Sequence, residues 1–163
     1  MTQPFSVPAD GGKATWGDGL NLFKAMAGDT GGALALWESL LPQGSSPPLH
    51  VHSREDEAFY VLDGELTFRI GDQVVLAPTG SFLWGPRDVA HQYRVDSPTA
   101  RLLTLFVPGG GEELFFHISR PAEALTLPPP SGQPAASPPP ELIAMLEERY
   151  GGKVLGPPMG PPE

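Results

Sequence analysis

Cysteine is absent from this chain. That excludes disulfides, thiolate metal ligands and a cysteine nucleophile, so any bound metal must be held by nitrogen and oxygen. Basic residues are scarce: 10 Lys and Arg against 19 Asp and Glu give a formal net charge of −9. No basic run exists, which argues against a nucleic-acid or anionic-membrane surface, since both require clustered cations. No apolar run approaches the length that crosses a bilayer. The N-terminal MTQPFSVPADGGK has no charged segment followed by an apolar one. No signal peptide is therefore expected, and a cytoplasmic location is the default. No helix-length segment separates the strand-like stretches, which excludes a βαβ architecture.

What is present suits one domain. At 163 residues the chain can bury one real core but not two. Its 20 glycines and 21 prolines are about a quarter of all residues, near the range of disordered chains, but much of the excess lies after residue 127. Residues 1–19, rich in Gly, Pro and Asp, read as an arm with little structure of its own. NLFKAMA (21–27) and ALALWESLL (33–41) read as two strands joined by a hairpin turn at Gly28–Gly32. Extended or strand-like segments follow at 48–52, 57–62, 65–70, 73–77, 81–84, 91–95 and 101–107, with Gly, Pro or Asp between most of them. About nine short strands in under ninety residues predict an all-β sandwich or barrel over 20–110. Residues 111–126 form a short helical segment, acidic at its start. Residues 127–140 are a proline-rich linker. In 141–163 an amphipathic helix, ELIAMLEERY, carries Leu142, Met145 and Leu146 on one side and stops at Gly151, and the final GPPMGPPE (156–163) is expected to fray. This helix is expected to pack back on the barrel or across a dimer.

The chemistry concentrates in GSSPPLHVHSREDEAFYVLDG (44–64). Three of the chain's four histidines belong to one arrangement. Side chains i and i+2 of a strand point the same way, about 7 Å apart at the backbone, so His50 and His52 project together. Glu57 opens the next strand after the turn Ser53–Asp56, and His91 begins a later strand that can close the site. Three imidazoles and one carboxylate make a site for one divalent ion with positions left open for water, substrate or dioxygen. Glu55 and Asp56 read as solvated charges, although a shift of register would exchange one of them for Glu57. His117 lies outside the pattern. Without cysteine ligands the ion could be Fe, Mn, Co, Ni, Cu or Zn.

The same residues resemble the cupin family. Its first motif is matched by Gly44, His50, His52, Glu57 and Gly64 at the family's spacing. Its second is matched in part by Gly80, Pro86 and His91, with Asp88 where a glycine is usual and Val95 where an asparagine is usual. Asp tolerates the left-handed backbone that such a turn position requires. The resemblance covers roughly residues 20–110. It implies a double-stranded β-helix (a jelly-roll barrel) with short C-terminal helices, metal ligands His50, His52, Glu57 and His91, and commonly a homodimer. The run EAFYVLDGELTFRIGD and the C-terminal ERYGGKVLGPP resemble the small quercetin dioxygenase-like group within that family. By that resemblance the chain is a metal-dependent dioxygenase acting with dioxygen on a hydroxylated aromatic or enolisable small molecule, and Glu57 could also take the substrate's hydroxyl proton. Phe59, Phe68, Trp84, Tyr93 and Phe106 are candidates to line the pocket, although the same side chains would also serve simply to fill a barrel. The same four ligands also suit a metal-assisted isomerase, lyase or decarboxylase that needs no oxygen, or a small-molecule binder without turnover.

Overall fold

The computed structural model describes residues 2–129 and 139–161. The linker expected over 127–140 therefore falls mostly outside the described residues. Among the described residues twelve strands form two sheets: β1 Lys13–Trp16, β2 Leu20–Ala25, β3 Ala35–Pro42, β4 Pro48–His52, β5 Asp56–Asp63, β6 Glu65–Ile70, β7 Gln73–Pro78, β8 Phe82–Gly85, β9 His91–Val95, β10 Thr99–Val107, β11 Arg120–Pro121 and β12 Gly152–Pro158. One sheet runs β11-β1-β2-β3-β10-β5-β8 and the other β12-β4-β9-β6-β7. Every pairing is antiparallel. The expectation of an all-β, two-sheet fold with few short helices is met.

Alternation fills the space between the sheets. Ala35, Trp37, Ser39 and Leu41 of β3 are buried, while their neighbours are half-buried. Leu66 and Phe68 of β6 and Leu102, Thr104 and Phe106 of β10 do the same. The first apolar cluster gathers Phe59, Val61, Leu66, Phe68, Val95 and Leu102, with Tyr93 against it. A second gathers Phe23, Ala35, Trp37 and Phe106, with Phe115 and Phe116 against it.

Three expectations need correction. Residues 1–19 are not without structure, because β1 pairs with β2 and β11. β2 and β3 pair as the expected antiparallel hairpin, but the loop between them is a single helical turn, α1 (Ala27–Thr30), stopped by Gly31 at φ 66°. The Gly- and Pro-rich stretch 152–158 forms β12, paired with β4 at the sheet edge. Its register breaks around Gly156 and Pro158, and an edge strand tolerates proline because no donor is required there. After β10 the chain makes a 3₁₀ turn (Gly111–Leu114) and α2 (Phe115–Ile118). The C-terminal helix α3 (Pro140–Tyr150) ends at Gly151, φ 67°, as its sequence signals. It packs back against β12 and the 3₁₀ turn.

Candidate metal centre

The two sheets bring the four expected ligands together. His50 and His52 project from β4, and His50 pairs in register with His91 at the start of β9. Glu57 comes from the opposite sheet, where β5 puts it across from Phe106 on β10 and Gly85 on β8. Gly85 packs on the ring of His91: a Cβ there would meet its Nδ1 at 3.4 Å. Asp88, in the turn before β9, holds φ 64°, the left-handed conformation its sequence position suggested. One ligand atom from each of the four residues lies within 4.8 Å of every other.

The hydrogen bonds fix which ring nitrogens face the centre. His50 Nδ1 meets Pro48 O at 2.7 Å and His91 Nδ1 meets Val89 O at 2.9 Å. A carbonyl accepts, so in each ring Nδ1 carries the hydrogen and Nε2 presents a lone pair. Glu57 Oε2 lies 2.9 Å from His91 Nε2 and 3.2 Å from His52 Nε2. Among the described residues His52 Nε2 is a buried ring nitrogen without a hydrogen-bond partner. Lone pairs gathered this closely repel unless a proton or a cation lies among them. Metal–N and metal–O bonds of about 2.0–2.2 Å place neighbouring ligand atoms about 3 Å apart, which fits these separations. The four residues therefore fit a divalent ion.

The electrostatics agree. Burial lowers His50 to about 4, so its imidazole is neutral and ready to ligate. Burial also opposes charge on His52, but the Glu55 and Glu57 carboxylates outweigh it and raise His52 to about 9. Burial pushes Glu57 up, yet His52 and His91 hold it well below the usual carboxylate range. Without an ion, a proton on His52 balances the buried carboxylates.

Three of the four residues, His50, His52 and Glu57, line a cavity of about 220 Å³, while His91 is buried and is not part of its lining. An engineered apolar cavity of about 150 Å³ holds benzene, so this one admits more than a single ring. Its walls are Leu114, Phe115 and Ile118 of the post-barrel segment and Leu142, Ile143 and Leu146 of α3. Of the five aromatic residues expected there, Phe106 lines it, 5.2 Å from the His52 ring between centroids. Phe59, Phe68 and Tyr93 instead pack on one another in the first core cluster, with centroids 5.0, 6.1 and 5.4 Å apart. Trp84 on β8 is 46% exposed. His117 is exposed, its ring 6.2 Å from that of Tyr150 and tilted by 49°, and it is not one of the four clustered residues.

Glu55 departs from its expected place. It is buried, not solvated, with Oε1 3.3 Å from His52 Nδ1. Its neighbour Asp56 does meet solvent and pairs with Arg87 at 2.9 Å. Glu112 is also fully buried, and nothing in its local sequence sets it apart from Glu113. The apolar wall from α3 was visible in the spacing of Leu142 and Leu146, but not its position over the metal centre.

The two-sheet fold and the His50, His52, Glu57 and His91 cluster, which could hold a metal ion, define the class. Residues 36–108 match the family described as Cupin domain, and the chain carries a cupin domain. Among curated proteins it is similar to the quercetin 2,3-dioxygenase of Bacillus subtilis (strain 168), 30% identical over 119 residues, 73% of this chain and 35% of that one. The chain thus spans about a third of the length of that relative. Among solved structures it resembles an RmlC-like cupin from Shewanella frigidimarina (16% identity, TM-score 0.58, 69% of this chain and 99% of that one). It also resembles the Mn(II)-containing oxalate decarboxylase of Bacillus subtilis (19% identity, TM-score 0.57, 74% and 33%). These structural likenesses establish the fold. Among the described residues no helix is long and apolar enough to cross a membrane.

Proposed function

We infer that the chain is a metal-dependent dioxygenase of the quercetinase-like kind, acting on a hydroxylated aromatic or enolisable small molecule. The observation that carries this reading is a three-histidine, one-carboxylate cluster of which His50, His52 and Glu57 line an aliphatic and aromatic cavity. His50, His52, Glu57 and His91 would hold one divalent ion (Fe, Mn, Co, Ni, Cu or Zn). When bound, a redox-capable ion supplies Lewis-acid polarisation of a substrate oxygen and one-electron chemistry with dioxygen.

The chain's own residues do the rest. Glu57 lines the cavity, and its Oε1 makes no hydrogen bond among the described residues. A substrate hydroxyl presented to the cluster meets this carboxylate as a proton acceptor at Oε1. The walls strip water from a flat apolar ligand and strengthen every polar contact at the cluster. A homodimer belongs to the same reading. Val74 and Leu76 on β7 and Phe82 and Trp84 on β8 are exposed apolar side chains at the free edges of the two sheets, a face that a second copy would cover.

The test is oxygen uptake by protein loaded separately with each candidate metal and offered quercetin and other hydroxylated aromatics. Metal-dependent oxygen consumption matched to substrate loss is expected. Turnover that proceeds equally without oxygen would move the chain to non-oxidative lyase or isomerase chemistry. Binding without turnover under every metal would make it a carrier or sensor.

A further inference from the structure

We propose that Glu55 is a positioning residue of the metal centre, holding His52 by its outer nitrogen and itself held in place by the missing side chain of Gly111. Each ligating imidazole has an anchor on Nδ1. For His50 and His91 it is a backbone carbonyl. For His52 it is the Glu55 carboxylate, 3.3 Å away. Glu55 is 3% exposed, and its carboxylate has no other ion-pair or hydrogen-bond partner among the described residues. A buried carboxylate is costly unless a partner compensates it. Its one close counter-group is His52 Nδ1, and with that edge of the ring held toward Glu55 the other nitrogen, Nε2, faces Glu57 Oε2 at 3.2 Å. Anchors of this kind orient ligands and raise their basicity.

The structure also shows what keeps Glu55 there. A Cβ built on Gly111 would fall well inside contact distance of Glu55 Oε1 and 3.0 Å from its Cδ. Gly111 is fixed by its neighbour. Glu112 Oε1 accepts the Ala27 N–H at 2.7 Å and Oε2 accepts the Gly110 N–H at 2.5 Å. The post-barrel turn is thereby tied to α1 and seated on Glu55. A glycine outside both family motifs would thus govern the geometry of a metal ligand.

The inference rests on the metal reading of the four residues. Its test titrates Co(II) into metal-free wild type, Glu55→Ala, Glu55→Gln and Gly111→Ala, reading affinity and the visible Co(II) spectrum. Thermal melts of the metal-free proteins check folding. Glu55→Ala should weaken Co(II) about 10–100-fold and shift its absorption bands. Glu55→Gln can still accept the Nδ1 hydrogen and should stay within about threefold of wild type. Gly111→Ala keeps the carboxylate but displaces it, and should resemble Glu55→Ala. Wild-type affinity and spectrum in folded Glu55→Ala and Gly111→Ala would overturn this role alone. If Glu55→Ala does not fold, Gly111→Ala decides in the same terms. Failure of the wild type to bind Co(II) would overturn the metal reading and this inference together.

Discussion

Removing His91 should abolish metal-linked stabilisation. His91 is 2% exposed and offers Nε2 to the centre, 2.9 Å from Glu57 Oε2. His91→Ala leaves three of the four ligand atoms. Losing an outer anchor already costs 10–100-fold in metal affinity, so losing a direct ligand should cost at least about 100-fold. A ligand at 100 times its Kd stabilises a protein by about 2.7 kcal/mol. For a domain of this length that is a rise of about 5–11 °C in Tm. At the same metal concentration a 100-fold weaker site yields RT ln 2, about 0.4 kcal/mol, or about 1–2 °C. The assay is the melting temperature of each protein with and without metal. Each protein's own metal-free melt is its reference, so any packing defect from the lost imidazole cancels. An equal metal-induced rise in His91→Ala and wild type would refute the assignment of His91.

Metal binding should release protons. Metal-free His52, raised to about 9, is protonated at neutral pH and loses that proton as pH rises through 9. Calorimetry in buffers of different ionisation enthalpy should show about one proton released per ion at pH 7 and fewer by pH 9, with affinity rising over that range; release independent of pH would contradict this. Gly64→Ala should destabilise the fold by about 2 kcal/mol or more, because left-handed backbone disfavours a side chain. Gly64 holds φ 87°, and a Cβ there would come within 2.6 Å of Ser97 Oγ and Thr99 O; an unchanged urea midpoint would count against it. Arg54 reaches the last carbonyls of α3 (Glu148 O at 3.1 Å, and Arg149 O). Arg54→Ala should loosen that helix end by about 0.3–1 kcal/mol, seen as faster amide exchange in α3 with β5 unchanged.

The cluster of His50, His52, Glu57 and His91 was legible in part because strand geometry is simple. Period-two alternation forces His50 and His52 onto one face, whereas Glu57 reaches them from the opposite sheet and not from a neighbouring strand, a placement that the spacing does not show. Turn chemistry was legible at Asp88, where the left-handed backbone appears at the one non-glycine position with positive φ among the described residues. Partners distant in sequence decided the rest. The Lys13–Trp16 stretch is too short to show alternation and becomes a strand only between β2 and β11. GPPMGPPE reads as a fraying end, yet its Gly156 and Pro158 pair along the open edge of β4. Ser53–Asp56 is polar and reads as solvated, but Glu55 turns inward because His52 and Gly111 receive it. The cavity wall escaped notice for a similar reason: it comes from α3 and the post-barrel turn, not from the barrel's own aromatic residues.

The most direct measurement is metal content per chain, by elemental mass spectrometry, for wild type and His50→Ala purified from the native source and again after reconstitution. The account predicts one divalent ion per wild-type chain and near-complete loss in a folded His50→Ala variant. Wild type that holds no ion even after reconstitution, or a variant that keeps its full complement, would contradict it.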